Sequence, residues 1–302
     1  MCSILPALGM SASDAPRRVT AAALRRMKGR GERITMLTAY DYRSARLFDA
    51  AGVDALLVGD SLGMVMLGHE STVTVTLDDI IHHAKPVTRG ARRALVVADL
   101  PFMSYTISRE QAMASAARLV QEGGAQAVKL EGGRAVTGTV EALVQSGIPV
   151  MGHIGLTPQS ILRFGGYRVQ GRDKVAAQQL IDDARALEDA GAFGIVLELV
   201  ASPLSERISR ILKIPTIGIG AGVGCDGQIQ VMHDILGYDV PGEFVPKHAK
   251  AYATLGQTIL EAVQRYVQEV RDGQFPTDAQ SFSMEESVLK SLGEEARQAG
   301  KA

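Results

Sequence analysis

The chain has 302 residues, 46% of them hydrophobic and 22% charged, a mix that excludes a wholly disordered protein. Its 32 Lys and Arg against 33 Asp and Glu leave a net charge of −1, which excludes a nucleic-acid binder working through bulk charge. The two cysteines, Cys2 and Cys225, are too few for a secreted disulfide framework, so a reducing compartment is expected.

The run at 3–10 is apolar but lacks a leading basic region, which makes it a poor secretory signal. Residues 17–30 carry Arg17, Arg18, Arg25, Arg26, Lys28 and Arg30. A mitochondrial presequence has this look, but an ordinary solvated helix face is the favoured reading. No apolar stretch further on reaches the roughly 18 residues of a spanning helix, so no membrane partner is expected.

From residue 34 onward, short apolar runs alternate with longer helical stretches. The runs fall at 34–37, 55–58, 94–98, 127–130, 148–151, 194–197, 216–219 and 243–245. They are continuous rather than alternating, as strands of a parallel sheet buried on both faces are. Thr76-Leu77-Asp78-Asp79 caps a helix over 80–89. Ser108 to Gln111 form a capping-box pattern opening a helix that runs to about Gln121, where Gly123 and Gly124 stop it. A helix over 173–190 ends at Gly191, and Ser202-Pro203 reads as N-cap and first helical residue of the next. The last long helix, 251–271, is closed by Gly273 and Pro276.

Eight such units in roughly 250 residues predict a (β/α)8 TIM barrel, with a doubly wound open sheet as the alternative. A single domain is expected at 19–282, with 1–18 a flexible extension and 283–302 a charged tail.

In a barrel the chemistry gathers where strands end. The second run ends at Asp60-Ser61, the third at Asp99, the fourth at Lys129 and Glu131, the fifth at His153 and the sixth at Glu198. Lys129 and Glu131 are two apart, so both side chains leave one face of their strand. Two aspartates and a glutamate make an all-oxygen set that suits a hard divalent cation, Mg2+ first. No thiolate, His-x-x-x-His or HExxH pattern points to zinc. A carboxylate between Leu197 and Leu199 is held away from water, as a general base is. Each residue also has a plain structural explanation. Asp60 or Asp99 alone reads as a helix cap, Lys129–Glu131 as a rim ion pair, and His153 as a satisfied buried histidine. Five consecutive strands ending this way outweigh those explanations.

Other motifs fall away. Gly222-Val223-Gly224-Cys225-Asp226-Gly227 matches G-x-G-x-x-G but lies too late for a dinucleotide site. Its glycines read instead as close backbone approach or an anion site. His82 and His83 are adjacent on a helix and cannot share a face, and Met64 and Met66 are expected to pack.

Several strings occur in order: Val58-Gly59-Asp60-Ser61-Leu62-Gly63, Ala98-Asp99-Leu100-Pro101-Phe102 and Val128-Lys129-Leu130-Glu131-Gly132-Gly133. Gly152-His153-Ile154-Gly155-Leu156-Thr157-Pro158-Gln159-Ser160, Phe164-Gly165-Gly166-Tyr167, Gly218-Ile219-Gly220-Ala221-Gly222 and Asp226-Gly227-Gln228 follow. Over about 20–282 the chain resembles the 3-methyl-2-oxobutanoate (ketopantoate) hydroxymethyltransferase family. The resemblance implies a barrel of the phosphoenolpyruvate-binding type, a cytoplasmic homodecamer, and one Mg2+ per subunit. It implies Asp60, Asp99 and Glu131 at the metal, and Asp60, Ser61, Asp99, Lys129 and His153 at the oxoacid. Glu198 becomes the proton acceptor, and 5,10-methylenetetrahydrofolate the one-carbon donor that converts 3-methyl-2-oxobutanoate to 2-dehydropantoate. A metal-dependent aldolase or lyase, a Schiff-base aldolase using Lys129, and a non-catalytic scaffold are the competing readings.

Overall fold

The structure, a computed structural model, describes residues 17–299 apart from 165, 167 and 244, with side chains described as far as 292 and not at 164. The run at 3–10, Cys2 and nearly all of the expected 1–18 extension lie outside these residues. Eight parallel strands close on themselves in chain order. They are β1 (Ile34–Thr38), β2 (Ala55–Val58), β3 (Leu95–Asp99), β4 (Ala127–Glu131), β5 (Val150–Gly155), β6 (Gly194–Glu198), β7 (Thr216–Ile219) and β8 (Gly227–Gln230).

Alternation explains why the strands read as unbroken apolar runs. Met36, Leu57, Val97, Ala127, Met151, Val196, Ile217 and Ile229 belong to one buried cluster, inside the barrel. Their neighbours Leu56, Val96, Val128, Leu130, Ile195 and Leu197 belong to a second, shared with the helix residues Ile80, Leu119, Leu143, Leu187 and Ile208. Both faces of most of the strands are therefore apolar, as a helix-covered parallel barrel requires.

The caps follow the sequence closely. Thr76 and Asp79 form a full capping box on Leu77–Gly90, and Asp173 caps Lys174–Asp189. Ser108 accepts the Gln111 N–H at the start of Arg109–Gln121, but the Gln111 side chain donates to Met103 O instead of closing the box. Ser202 is the first residue of Ser202–Ile211 rather than its cap.

The eighth strand corrects the sequence reading. The described residues of 243–245 are not in a strand, and β8 instead begins at Gly227, inside the glycine-rich motif. A Cβ at Gly227 would come within 2.4 Å of Ile34 O, so only glycine lets β8 lie beside β1. The strand's other face carries Gln228 and Gln230, whose amides donate to Gly222 O and His248 O. A polar strand opening on glycine has no apolar signature to find. The motif does not open a helix, as a dinucleotide site requires, and Arg33 donates to its Val223 and Cys225 carbonyls.

The helix Ala21–Gly29 closes the barrel floor. Its Leu24, fully buried, joins the interior cluster beside Ile34, Ala55, Leu95 and Ala127. Lys28 Nζ donates to Ser209 O at 2.7 Å, Ile214 O at 2.9 Å and Asp226 Oδ2 at 2.8 Å. The basic segment is thus a folded helix, with Lys28 spent on the floor.

The chain divides into two compact units, one of residues up to 236 with 244–252, the other of 237–243 and the residues from 253 on. All eight strands lie in the first, which ends 30 residues before the domain limit expected at 282. The second holds Leu255–Arg271, which has no buried residue, a 3-10 turn at Asp278–Gln280, and Glu286–Ala299.

Leu24→Ala should cost about 2–5 kcal/mol through the cavity it leaves, read as a lower denaturant midpoint. An unchanged midpoint would show that this helix does not stabilise the floor.

Candidate active site

Within the barrel the interior face changes character near the strand ends. Two residues beyond Met36, Val97, Ala127, Met151 and Val196, the same face presents Thr38, Asp99, Lys129, His153 and Glu198. Glu131 follows Lys129 by two. The two-residue period of a strand thus stacks polar side chains on an apolar floor. Register aligns them, because Asp99 pairs with Lys129 and Glu131 with His153 across neighbouring strands.

Asp60 and Ser61 lie in the turn after β2. Gly59 makes room for them, since a Cβ there would lie 3.1 Å from Ser61 Oγ and 3.3 Å from Asp99 Oδ2. Asp60 N–H then donates to Asp99 Oδ2 at 3.0 Å, tying this turn to β3. Asp60, Asp99, Lys129, Glu131 and His153 are each no more than 5% exposed.

The contacts form one chain. Lys129 Nζ is 2.8 Å from Asp99 Oδ1 and 3.3 Å from His153 Nδ1. His153 Nδ1 is also 3.3 Å from Glu131 Oε1, and its Nε2 is 3.3 Å from Glu198 Oε2. Glu198 is the most open of these, with its side chain 16% exposed. All six charged residues singled out in the sequence therefore meet in one buried cluster. Ser61 joins it through Asp60 and through Tyr40, whose hydroxyl is 2.9 Å from Ser61 Oγ.

Burial and charge pull these groups in different directions. Burial lowers the Lys129 ammonium, but Asp99, Glu131 and Asp60 more than reverse this, so its pKa is raised. Burial and Lys129 lower His153, yet Glu131 and Glu198 outweigh them and push it up to about 9. Burial, then the charges of Asp99 and Glu131, hold the Asp60 carboxyl well above its usual range. Burial likewise raises Asp99, although Lys129 opposes it. Burial raises Glu131, but His153, Lys129 and the Gln159 N–H prevail and lower it.

Among the described residues no three His, Cys, Asp or Glu are already grouped to hold a metal ion. The donor chemistry nevertheless fits a hard cation at Asp60 and Asp99. Four carboxylates, Asp60, Asp99, Glu131 and Glu198, stand against Lys129 and His153, and this all-oxygen anionic set has the chemistry of a hard-cation site. Glu131 is less available, with Oε2 accepting Gln159 N–H and Oε1 facing His153.

Three uncharged residues of the site carry no sequence signal. Tyr40, just beyond β1, is 1% exposed, and its carbonyl is held 2.7 Å from His83 Nδ1. Tyr105 and Gln159 are buried behind Glu131 and Asp60. Phenols and amides in loops are too common to stand out; only their place just past strand ends marks them. Met64 and Met66, expected to pack, are about two-fifths exposed.

The fold and its strand-end charges define a (β/α)8 barrel with a single charged mouth. The chain superposes with TM-score 0.55 on 2,3-dimethylmalate lyase, described as a PEP mutase/isocitrate lyase superfamily member, at 18% identity, covering 95% of this chain and 99% of that one. It superposes equally, with TM-score 0.55, on a phosphonopyruvate hydrolase at 13% identity, covering 92% and 96%. A family model described as ketopantoate hydroxymethyltransferase matches residues 18–278. The 3-methyl-2-oxobutanoate hydroxymethyltransferase of Oleidesulfovibrio alaskensis is 57% identical over 278 residues, 92% of this chain and 95% of that one. That of Syntrophus aciditrophicus is 55% identical over 273 residues, 90% and 100%. The chain belongs to the ketopantoate hydroxymethyltransferase family.

Lys129→Met should strand Asp99 without its cation and cost about 3–5 kcal/mol, measured by denaturant unfolding. Unchanged stability would show that the carboxylates are neutralised some other way.

Proposed function

We propose that this chain transfers a hydroxymethyl group from 5,10-methylenetetrahydrofolate to 3-methyl-2-oxobutanoate. Water is consumed, and the products are 2-dehydropantoate and tetrahydrofolate. The observation that carries this reading is the convergence of an acidic pair, a buried ammonium and the more open Glu198 carboxylate at one barrel mouth. These are the groups needed to draw a proton from carbon beside a ketone.

Asp60 and Asp99 would hold a divalent cation such as Mg2+, which would supply Lewis-acid chemistry for the oxoacid. Ser61 offers a hydroxyl beside that place, backed by Tyr40. Lys129 stays protonated beside Asp99 and stabilises the enolate charge as it develops. A lysine so held is a poor Schiff-base nucleophile, which disfavours that aldolase reading. Glu198 takes the C3 proton, with His153 Nε2 3.3 Å from its Oε2 as its nearest charged neighbour in the network. The C3 carbon, now nucleophilic, attacks the one-carbon unit delivered from the folate. Glu131 orients His153 and lies within the same charged network. The homodecamer and the cytoplasmic location rest on the family resemblance.

Incubation with 3-methyl-2-oxobutanoate, 5,10-methylenetetrahydrofolate and Mg2+ should yield 2-dehydropantoate, and EDTA should stop it. Glu198→Gln should lower kcat by about 10²- to 10⁴-fold. No product from the wild-type chain, or turnover in Glu198→Gln within a few-fold of wild type, would contradict the assignment. Borohydride in the presence of oxoacid should trap no adduct on Lys129.

A further inference from the structure

Gln159 sits in the 3-10 turn Pro158–Ser160 that follows β5, and is 4% exposed. Its backbone and both ends of its side chain are committed. The backbone N–H donates to Glu131 Oε2 at 3.0 Å. Nε2 donates to Asp60 Oδ2 at 2.8 Å and to Leu100 O at 3.0 Å. Oε1 accepts the Tyr105 hydroxyl at 2.8 Å.

The orientation of this amide follows from its partners. Two acceptors face its two N–H bonds, and a hydroxyl faces its oxygen. A flipped amide would set oxygen against both a carboxylate and a carbonyl, with no donor between them. Tyr105 is braced in turn, because its hydroxyl also lies 3.0 Å from Glu131 O and accepts Glu131 N–H at 3.2 Å. One residue thus joins the β2 turn, the β3 end, the β4 end and the β5 turn.

We infer that Gln159 is a positioning residue. Its side-chain amide, locked by Tyr105, fixes the Asp60 carboxylate for cation binding, and its backbone N–H fixes Glu131. Left to itself, Asp60 would turn from the neighbouring Asp99 and Glu131 charges. An N–H donor on Oδ2 opposes that, and outer partners of this kind set how well a carboxylate serves a metal. The role rests on the reading of Asp60 and Asp99 as the cation-holding pair.

The test is Mn2+ binding to the full chain without oxoacid, followed by the EPR signal of the free ion. It is run beside kcat, the KM for oxoacid and melting in EDTA. Gln159→Met removes the donor and leaves the backbone contact to Glu131. It should weaken Mn2+ binding about tenfold and lower kcat. Tyr105→Phe keeps the amide but frees its orientation, and should move both in the same direction by less. A melting shift with Mn2+ affinity and kcat within twofold of wild type would overturn the positioning role while leaving the cation reading intact. No Mn2+ binding by wild type would overturn the cation reading and this role with it. If Gln159→Met does not fold, Tyr105→Phe decides by the same criterion.

Discussion

The site depends on the contact between Lys129 and Asp99, 2.8 Å apart with side chains 4% and 2% exposed. Gathering three buried carboxylates in a barrel interior is costly without cations among them, and this ammonium is the one paired with Asp99. It fixes Asp99, which accepts the Asp60 N–H and so holds the β2 turn in place. It also stands 3.3 Å from His153, which reaches Glu131 on one side and Glu198 on the other. The two cations of this path, Lys129 and His153, are flanked by Asp99 on one side and by Glu131 and Glu198 on the other, and these opposite charges lower the cost of burying them. Lys129 and His153 together face four carboxylates, Asp60, Asp99, Glu131 and Glu198, so the mouth is rich in oxygen ligands, as the proposed cation requires.

Much of this was legible because of how a barrel strand is built. An ionisable residue within an apolar run is conspicuous, and two-residue spacing predicts that Lys129 and Glu131 share a face; both lie in the cluster. Strands covered on both sides give the long apolar runs that mark β2, β3, β4 and β6. β8 fails that test for a physical reason. It needs glycine against Ile34, and it exposes glutamines to polar partners, so 243–245 looked more like a strand than Gly227–Gln230 does. Tyr40, Tyr105 and Gln159 escaped notice because they work through hydrogen bonds alone. A buried amide that joins four loop ends has the same letter as a solvated one, and only three-dimensional placement separates them.

Stability and chemistry are divided along the barrel axis. At the floor, Leu24 fills the interior and Lys28 ties the first helix to Ser209, Ile214 and Asp226. The middle is aliphatic. At the mouth, the same inward positions carry charge, held apart from the floor by the layer of Met36, Leu57, Val97, Met151, Val196 and Ile217. Burial of this kind strengthens every electrostatic interaction at the mouth, which suits a reaction that develops negative charge on an oxoacid.

The most direct measurement follows one proton. The chain is incubated with 3-methyl-2-oxobutanoate and Mg2+ in D2O, without folate, and the C3 hydrogen is observed by NMR. Wild type, Glu198→Gln and an EDTA control are run together. The account predicts exchange that requires the metal and is lost in Glu198→Gln. A folded, metal-loaded wild-type protein that exchanges no faster than the buffer, or exchange undiminished in Glu198→Gln, would contradict it.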